Sequence, residues 1–259
     1  MISSEFAKEY QRLIADNTSG SRELLIKLIK FLQIHQNEID ADIIIHLQNH
    51  FSDFQTIHSF LKKFSIAFEN KRLEHFFKEN PIDDKVVYKK IFTNLLPYIK
   101  NFRTIITISN SKTILEVLKL ISQSNKSLKV IVSEGRPNNE GTMLAERLAE
   151  NDIFTTLITE AQIYQFVQKA DCATIGADKI LANGNVINKV GSNLLALACK
   201  ELNKPFFVLA DKSKSCNDNS FIPKEYNRDE IFKTEKKIEI HNFYFEEINK
   251  ELITEIITD

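Results

Sequence analysis

Apolar positions in the first third of the chain recur three and four residues apart. The run from Ser21 through Leu32, SRELLIKLIKFL, puts Leu24, Leu25, Leu28, Ile29 and Leu32 on one helix face. Thr18-Ser19-Gly20 breaks the pattern just before it, and Ser21 is the predicted N-cap. The stretch IIIHLQNHF and the FLKKF segment ending at Phe64 are apolar at mixed spacing and read as further helices. Gly20 is the only glycine before Gly135. Asn80-Pro81-Ile82-Asp83-Asp84 reads as a connector into a helix from Lys85 to Tyr98, with Pro97 and Asn101 marking its end.

After Asn101 the pattern changes to short β-rich apolar runs alternating with helical ones. Strands are predicted at Thr104–Ile108, Leu128–Val132, Thr155–Ile158, Ala173–Ile175 and Phe206–Leu209. The helices between them are predicted at Lys112–Ile121, Thr142–Glu150, Ala161–Lys169 and Ser192–Leu202. Strands separated by helix-length crossovers predict an α/β fold with a doubly wound, Rossmann-like parallel sheet over residues 101–259, after a helical domain over 1–100.

Open parallel sheets bind ligands outside the carboxyl ends of their strands, so the residues following each strand are the candidates for chemistry. Ser109-Asn110-Ser111 follows the first strand and Ser133-Glu134-Gly135-Arg136-Pro137 the second. Thr159-Glu160, Gly176-Ala177-Asp178-Lys179 and Asp211-Lys212-Ser213-Lys214 follow the other three. Hydroxyls, an amide, carboxylates and cations on one edge suit a polyhydroxylated, phosphorylated ligand. A helix starting near Ser111 offers free N–H groups to a phosphate. Arg136 offers two parallel hydrogen bonds, and Lys189 and Lys214 offer point charges. Each of these residues also has an ordinary structural role as a helix cap or a solvated lysine; only their shared position favours a site.

Asp178 lies in IGADKILANGNVINKVGS, the most glycine-rich stretch. Either this is a β-hairpin turning at Asn183-Gly184, or its glycines admit a ligand; a hairpin presenting Asp178 on one side and Asn188-Lys189 on the other satisfies both.

Composition narrows the choice. The chain has 259 residues and a formal net charge of −1, which argues against direct nucleic-acid binding through bulk charge. No run is apolar enough to span a bilayer, and the first residues do not read as a secretory signal. Three widely spaced cysteines, Cys172, Cys199 and Cys216, point to a reduced, cytoplasmic protein. The first βα turn lacks the GxGxxG of dinucleotide sites, and His46 and His50, four apart, have neither HExxH nor an obvious third ligand; neither cofactor nor metal is expected.

Three stretches carry a likeness: SEGRPNNEGTMLAERLAE, CATIGADKILANGNVINKVGSNLLALACKELNKPFFVLADKSK and NFYFEEINKELITEIITD. They resemble the initiation factor 2B α/β/δ regulatory-subunit family, whose superfamily includes methylthioribose-1-phosphate and ribose-1,5-bisphosphate isomerases. The resemblance covers nearly all of the chain after Asn101, and more weakly the segment Thr18 to Ser21. It implies a helical domain, a Rossmann-like domain and a homodimer formed through the latter. In the isomerases an aspartate of the GAD motif works with a cysteine of a T-H-C-N motif to open the sugar ring and isomerise it. Asp178 matches that aspartate, Asn188-Lys189 and Lys214 match substrate-contacting residues, and Arg136-Pro137 with Gly141 match an ExRP…G motif. Asn110 and Ser111 fall beside the catalytic position.

Two departures stand out. Ser109 occupies the place of the thiol, and a hydroxyl is a far weaker proton donor than a thiol titrating near about 8.5. The isomerases' Arg-Gly-Ala phosphate loop reads Ser19-Gly20-Ser21. The expected function is therefore a regulatory protein that binds a sugar phosphate or nucleoside monophosphate without turnover, with a translation factor as a further partner. The alternative is an aldose-ketose isomerase in which Ser109 and Asp178 are catalytic.

Overall fold

The helical spacing of the first third is realised in the computed structural model, which describes residues 3–80 and 85–259. The chain divides into a first unit ending at Lys85 and a second beginning at Val86. The first unit contains α1 (Ser4–Ile14), α2 (Ser21–Ile34), α3 (Ala41–His50), α4 (Gln55–Glu69) and α5 (Leu73–Glu79). Leu24, Leu28 and Leu32 of α2 meet Leu47, Leu61 and Phe64 in one core. The N-cap of α2 is Gly20, and Ser21 is the first helical residue, buried. The shift has a local cause. The Asp16 carboxylate accepts from the N–H groups of Thr18 (3.2 Å) and Ser19 (3.0 Å), and Lys27 Nζ donates to both Asp16 (2.7 Å) and Ser19 Oγ (2.8 Å). That turn spends the Ser19 hydroxyl and leaves the extended cap position to Gly20.

His35 closes this unit. Its buried ring lies against Phe6 and Phe31, and its two nitrogens contact Glu38 Oε1 and Glu9 Oε2, each at 3.0 Å. Two acceptors require both nitrogens to carry protons. Burial alone would lower the pKa of the ring, but the hydrogen bonds to Glu38 and Glu9 outweigh it and the net shift is upward.

Helix α6 (Lys85–Ile99) runs from the last residue of the first unit into the second. Pro97 does not end this helix as expected from the sequence; it sits inside the last turn, where its missing N–H costs a single bond. The predicted connector through Pro81 to Asp84 lies outside the described residues. Strands β1 (Thr104–Ile108), β2 (Lys129–Ser133), β3 (Phe154–Ile158) and β4 (Cys172–Ile175) follow, with α7 (Lys112–Ser124), α8 (Glu140–Ala149) and the short α9 (Ile163–Val167) as crossovers. A 3-10 turn, Glu160–Gln162, takes up the start of the predicted third crossover helix. Then come a hairpin of β5 (Lys179–Ile180) and β6 (Val186–Lys189), α10 (Ser192–Glu201), β7 (Phe206–Leu209), β8 (Phe245–Ile248) and β9 (Glu255–Ile257).

The main sheet has the order β3-β2-β1-β4-β7-β9, every pair parallel. Alternate residues sort to its two faces. Ile105, Val130 and Cys172 face a core built with α6, α7 and α8; Ile106, Ile131 and Ala173 face one built with α9 and α10. The crossovers thus change face where β4 returns beside β1, which makes the gap between these two strands the topological switch point. Strands β5, β6 and β8 form a small antiparallel sheet. Neither β8 nor β9 was assigned from the sequence: FEEI and EII carry charges within short runs, and only pairing with β6 and β7 makes them strands.

A raised histidine pKa gives stability that is fully present below the unfolded value of about 6.5 and lost as pH rises through the folded value. The thermal midpoint of the first unit is expected to fall over that interval, and the slope to flatten in His35→Gln; equal slopes in both proteins would remove the charged clamp.

Candidate functional site

Parallel register puts the residues after each strand on one rim. Ile106 is opposite Ala173, so Ser109 is level with Gly176, and Asp178 follows two residues on. Ile175 is opposite Val208, which carries Asp211 and the turn Lys212–Lys214 to the same edge. Ile108 is opposite Ser133, so the loop with Arg136 also starts there. Just below the rim, Thr107 and Thr174 have buried hydroxyls with no hydrogen-bond partner among the described residues.

Three loops converge tightly. Ser109 adopts a left-handed φ of 65° so that the chain can leave β1 and enter α7, whose N-cap Ser111 accepts from Ile114 N–H at 3.3 Å. A β-carbon on Gly176 would fall 2.7 Å from Ser111 Oγ, so glycine lets the chain leave β4 close against this cap without displacing the capping side chain. Beside β2, a β-carbon on Gly141 would fall 1.8 Å from Ser133 O, which binds the start of α8 against the strand end.

This close approach places Glu140 in the interior, at 2% exposure. Its Oε1 accepts from Ser109 Oγ at 3.2 Å and pairs with Lys189 Nζ at 3.1 Å; Oε2 has no hydrogen-bond partner among the described residues. A carboxylate in the first turn of α8 is favoured there by the helix dipole. Lys189 in turn lies 4.4 Å over the Tyr244 ring and 5.2 Å from that of Phe245. One carboxylate therefore joins Ser109, from the end of β1, to Lys189, from the end of β6. Sequence reasoning passed over Glu140 and took only its neighbours Arg136, Pro137 and Gly141. The available signal was an acidic residue directly before a glycine at the start of a rim helix.

The other candidates distribute as follows. Asn188 is buried and donates from Nδ2 to Ser192 Oγ at 2.8 Å. Asp178 is buried, with its N–H on Ile187 O at 2.8 Å. Lys214 is buried in the turn after β7. Asn110 is buried and accepts from Arg147 at 3.5 Å. Arg136 is exposed and points outward, its Nη2 3.5 Å from Ile231 O. Ser19, Gly20 and Ser21 belong to the first unit. The N-terminus of α10 is occupied from within: Glu246 accepts from Asn193 N–H at 2.7 Å and from Gly191 and Ser192, yet burial still raises its pKa. Burial also raises all three thiols, Cys199 to about 12. Among the described residues no group of three potential metal ligands occurs, and no helix is long and apolar enough to cross a membrane.

A parallel α/β unit with polar and charged residues gathered at its switch point thus follows a helical unit. The chain belongs to the initiation factor 2 subunit family, which it matches over residues 14–259. It is 40% identical over 116 residues to a ribose 1,5-bisphosphate isomerase from Archaeoglobus fulgidus, a match covering 45% of this chain and 37% of that protein. Among solved structures it is similar to the Pyrococcus horikoshii translation initiation factor eIF-2B, with a TM-score of 0.79 and 24% identity over 99% of this chain and 95% of that one. The 5-methylthioribose 1-phosphate isomerase of the same organism gives a TM-score of 0.70 at 19% identity over 98% and 82% of the two chains. These likenesses show the α/β fold that the strand and helix pattern predicts.

Two substitutions probe the site's framework. Glu140→Leu strands the ammonium of Lys189 and is expected to cost about 3 kcal/mol in urea unfolding; a loss near zero would mean that the ion pair contributes nothing. Gly141→Ala is expected to cost about 3 kcal/mol or more, because backbone must move to admit the methyl group.

Proposed function

We propose that this protein binds a phosphorylated sugar or nucleoside monophosphate in the crevice between β1 and β4 and acts as a regulatory protein without turning it over. One observation carries the reading: the hydroxyl of Ser109, which the resemblance matches to the isomerases' thiol, reaches a Glu140 carboxylate that is already paired with Lys189. The rim keeps cations and hydroxyls for an anionic polyol, while the three thiols have raised pKa values. Asp178, Asn188, Lys189 and Lys214 are the proposed ligand contacts, with Asn110, Ser111 and Arg136 around them. Exposed Leu194 and Leu197 on α10 support a homodimer through the second unit, and the names of the relatives support a translation-factor partner.

The isomerase reading has one observation in its favour. A carboxylate accepting from a serine hydroxyl is the kind of neighbour that activates it, so Ser109 with Glu140 and Asp178 would supply acid and base. In that case Ser109→Ala abolishes turnover and Ser109→Cys raises it.

Ribose 1,5-bisphosphate, methylthioribose 1-phosphate, ribose 5-phosphate and nucleoside monophosphates should be screened for thermal stabilisation and for isomerised product. A ligand at 100 times its Kd stabilises by about 2.7 kcal/mol, which a midpoint shift reads directly. The expected result is a shift without product. Turnover that disappears in Asp178→Asn would establish the isomerase instead, and no shift with any compound would leave the crevice without a ligand role.

A further inference from the structure

The segment from Tyr226 to Phe232 passes from the small sheet to Arg136 without forming a strand of its own. It is tied to the chain that follows it: Tyr226 N–H donates to Asn242 O at 2.8 Å, and Glu225 bridges Phe243. Its inner side rests on Tyr244. The rings of Tyr226 and Tyr244 stack with centroids 3.7 Å apart, and Glu230 Oε2 accepts from Tyr244 Oη at 2.5 Å and from Asn242 Nδ2 at 2.8 Å. Its far end touches Arg136 through the Ile231 carbonyl, and it carries Ile231 and Phe232 outward at 41% and 56% exposure.

The other face of these contacts is the crevice. Lys189 lies over the Tyr244 ring and pairs with Glu140, which holds Ser109. An unbroken series of contacts therefore runs from Ser109 through Glu140, Lys189, Tyr244 and Glu230 to the exposed strap. One link of this series, Lys189 on the Tyr244 ring, and the separate contact of Arg136 with Ile231 compete with an anion. A phosphate offers Lys189 a stronger partner than a ring face, and it offers Arg136 two short charged hydrogen bonds in place of one contact of 3.5 Å to a carbonyl. A ligand binding one arrangement better than another must shift the balance between them.

We propose that residues 226–232 form a strap that reports the filling of the crevice. An anion draws Lys189 from Tyr244 and Arg136 from Ile231, the strap loosens, and Ile231 and Phe232 become more exposed. This deepens the ligand reading and rests on it; what it adds is how an occupied crevice is signalled at the surface of a protein that need not turn its ligand over.

The chain has no tryptophan, so Phe232→Trp places a single fluorophore on the strap. Ribose 5-phosphate, adenosine monophosphate and ribose 1,5-bisphosphate are titrated while binding is followed separately by calorimetry. The expected result is a red shift and stronger acrylamide quenching that saturate with the calorimetric isotherm. Glu230→Ala in the same background is expected to start red-shifted and to lose the ligand response while still binding. Amide hydrogen exchange over residues 226–232 of the unsubstituted protein, expected to quicken with ligand, guards against a misfolded reporter. Calorimetric binding with unchanged emission and exchange overturns the strap alone, as does a full response in Glu230→Ala. No heat with any of the three compounds removes the ligand reading and the strap with it.

Discussion

The parallel pairing of β4 with β1, Ile106 against Ala173, reverses the direction in which the sheet grows. Strands β2 and β3 extend it on one side, β7 and β9 on the other, and the crossover helices change face at the same place. Two loops leaving neighbouring strands for opposite faces make the switch point at which such sheets receive ligands. Ser109 and Asp178 each follow the end of one of these strands. The left-handed Ser109, the glycine at 176 and the glycine at 141 are all consequences of bringing loops that close.

Charge inside the rim is organised around a carboxylate rather than around the cations. A buried glutamate is costly unless its oxygens are satisfied. Glu140 satisfies one oxygen with a hydroxyl and an ammonium from two different strand ends. Lys189 spreads its charge further over the face of Tyr244, which a strap residue holds by its hydroxyl. The result differs from a simple basic pocket: the lysine is pre-positioned and shielded, and any anion that engages it disturbs neighbours in every direction. The helix N-terminus at α10, a type of site that suits a phosphate, is filled by Glu246.

The helical unit shows the same economy on a smaller scale. Two carboxylates far apart in sequence, Glu9 and Glu38, are held by one buried imidazole. Asp16 shapes the turn that carries Ser19 and Gly20 and ties Lys27 to it. Ser19 and Gly20 are thus built into a structural turn in which the serine hydroxyl is in use.

Hydrophobic periodicity alone determined the two grammars of the chain, the five strands beginning at β1, β2, β3, β4 and β7, and the edge of the sheet on which polar residues gather. These are local properties: burial of one helix face or of both strand faces leaves its period in the residues themselves. The hairpin turning at Asn183-Gly184 was legible for the same reason, since that dipeptide has a local conformational preference. Tertiary structure decided the rest. Strands β8 and β9 exist through pairing with β6 and β7, and their charged, short sequences carry no period of their own. Glu140 looks like any acidic residue in a first helical turn until the missing side chain of Gly141 lets α8 press against Ser133 and turns its carboxylate inward. Arg136, one loop away, meets the Ile231 carbonyl, a partner 95 residues further along the chain. Which charges meet depends on distances between segments tens of residues apart, and no spacing along a chain encodes those.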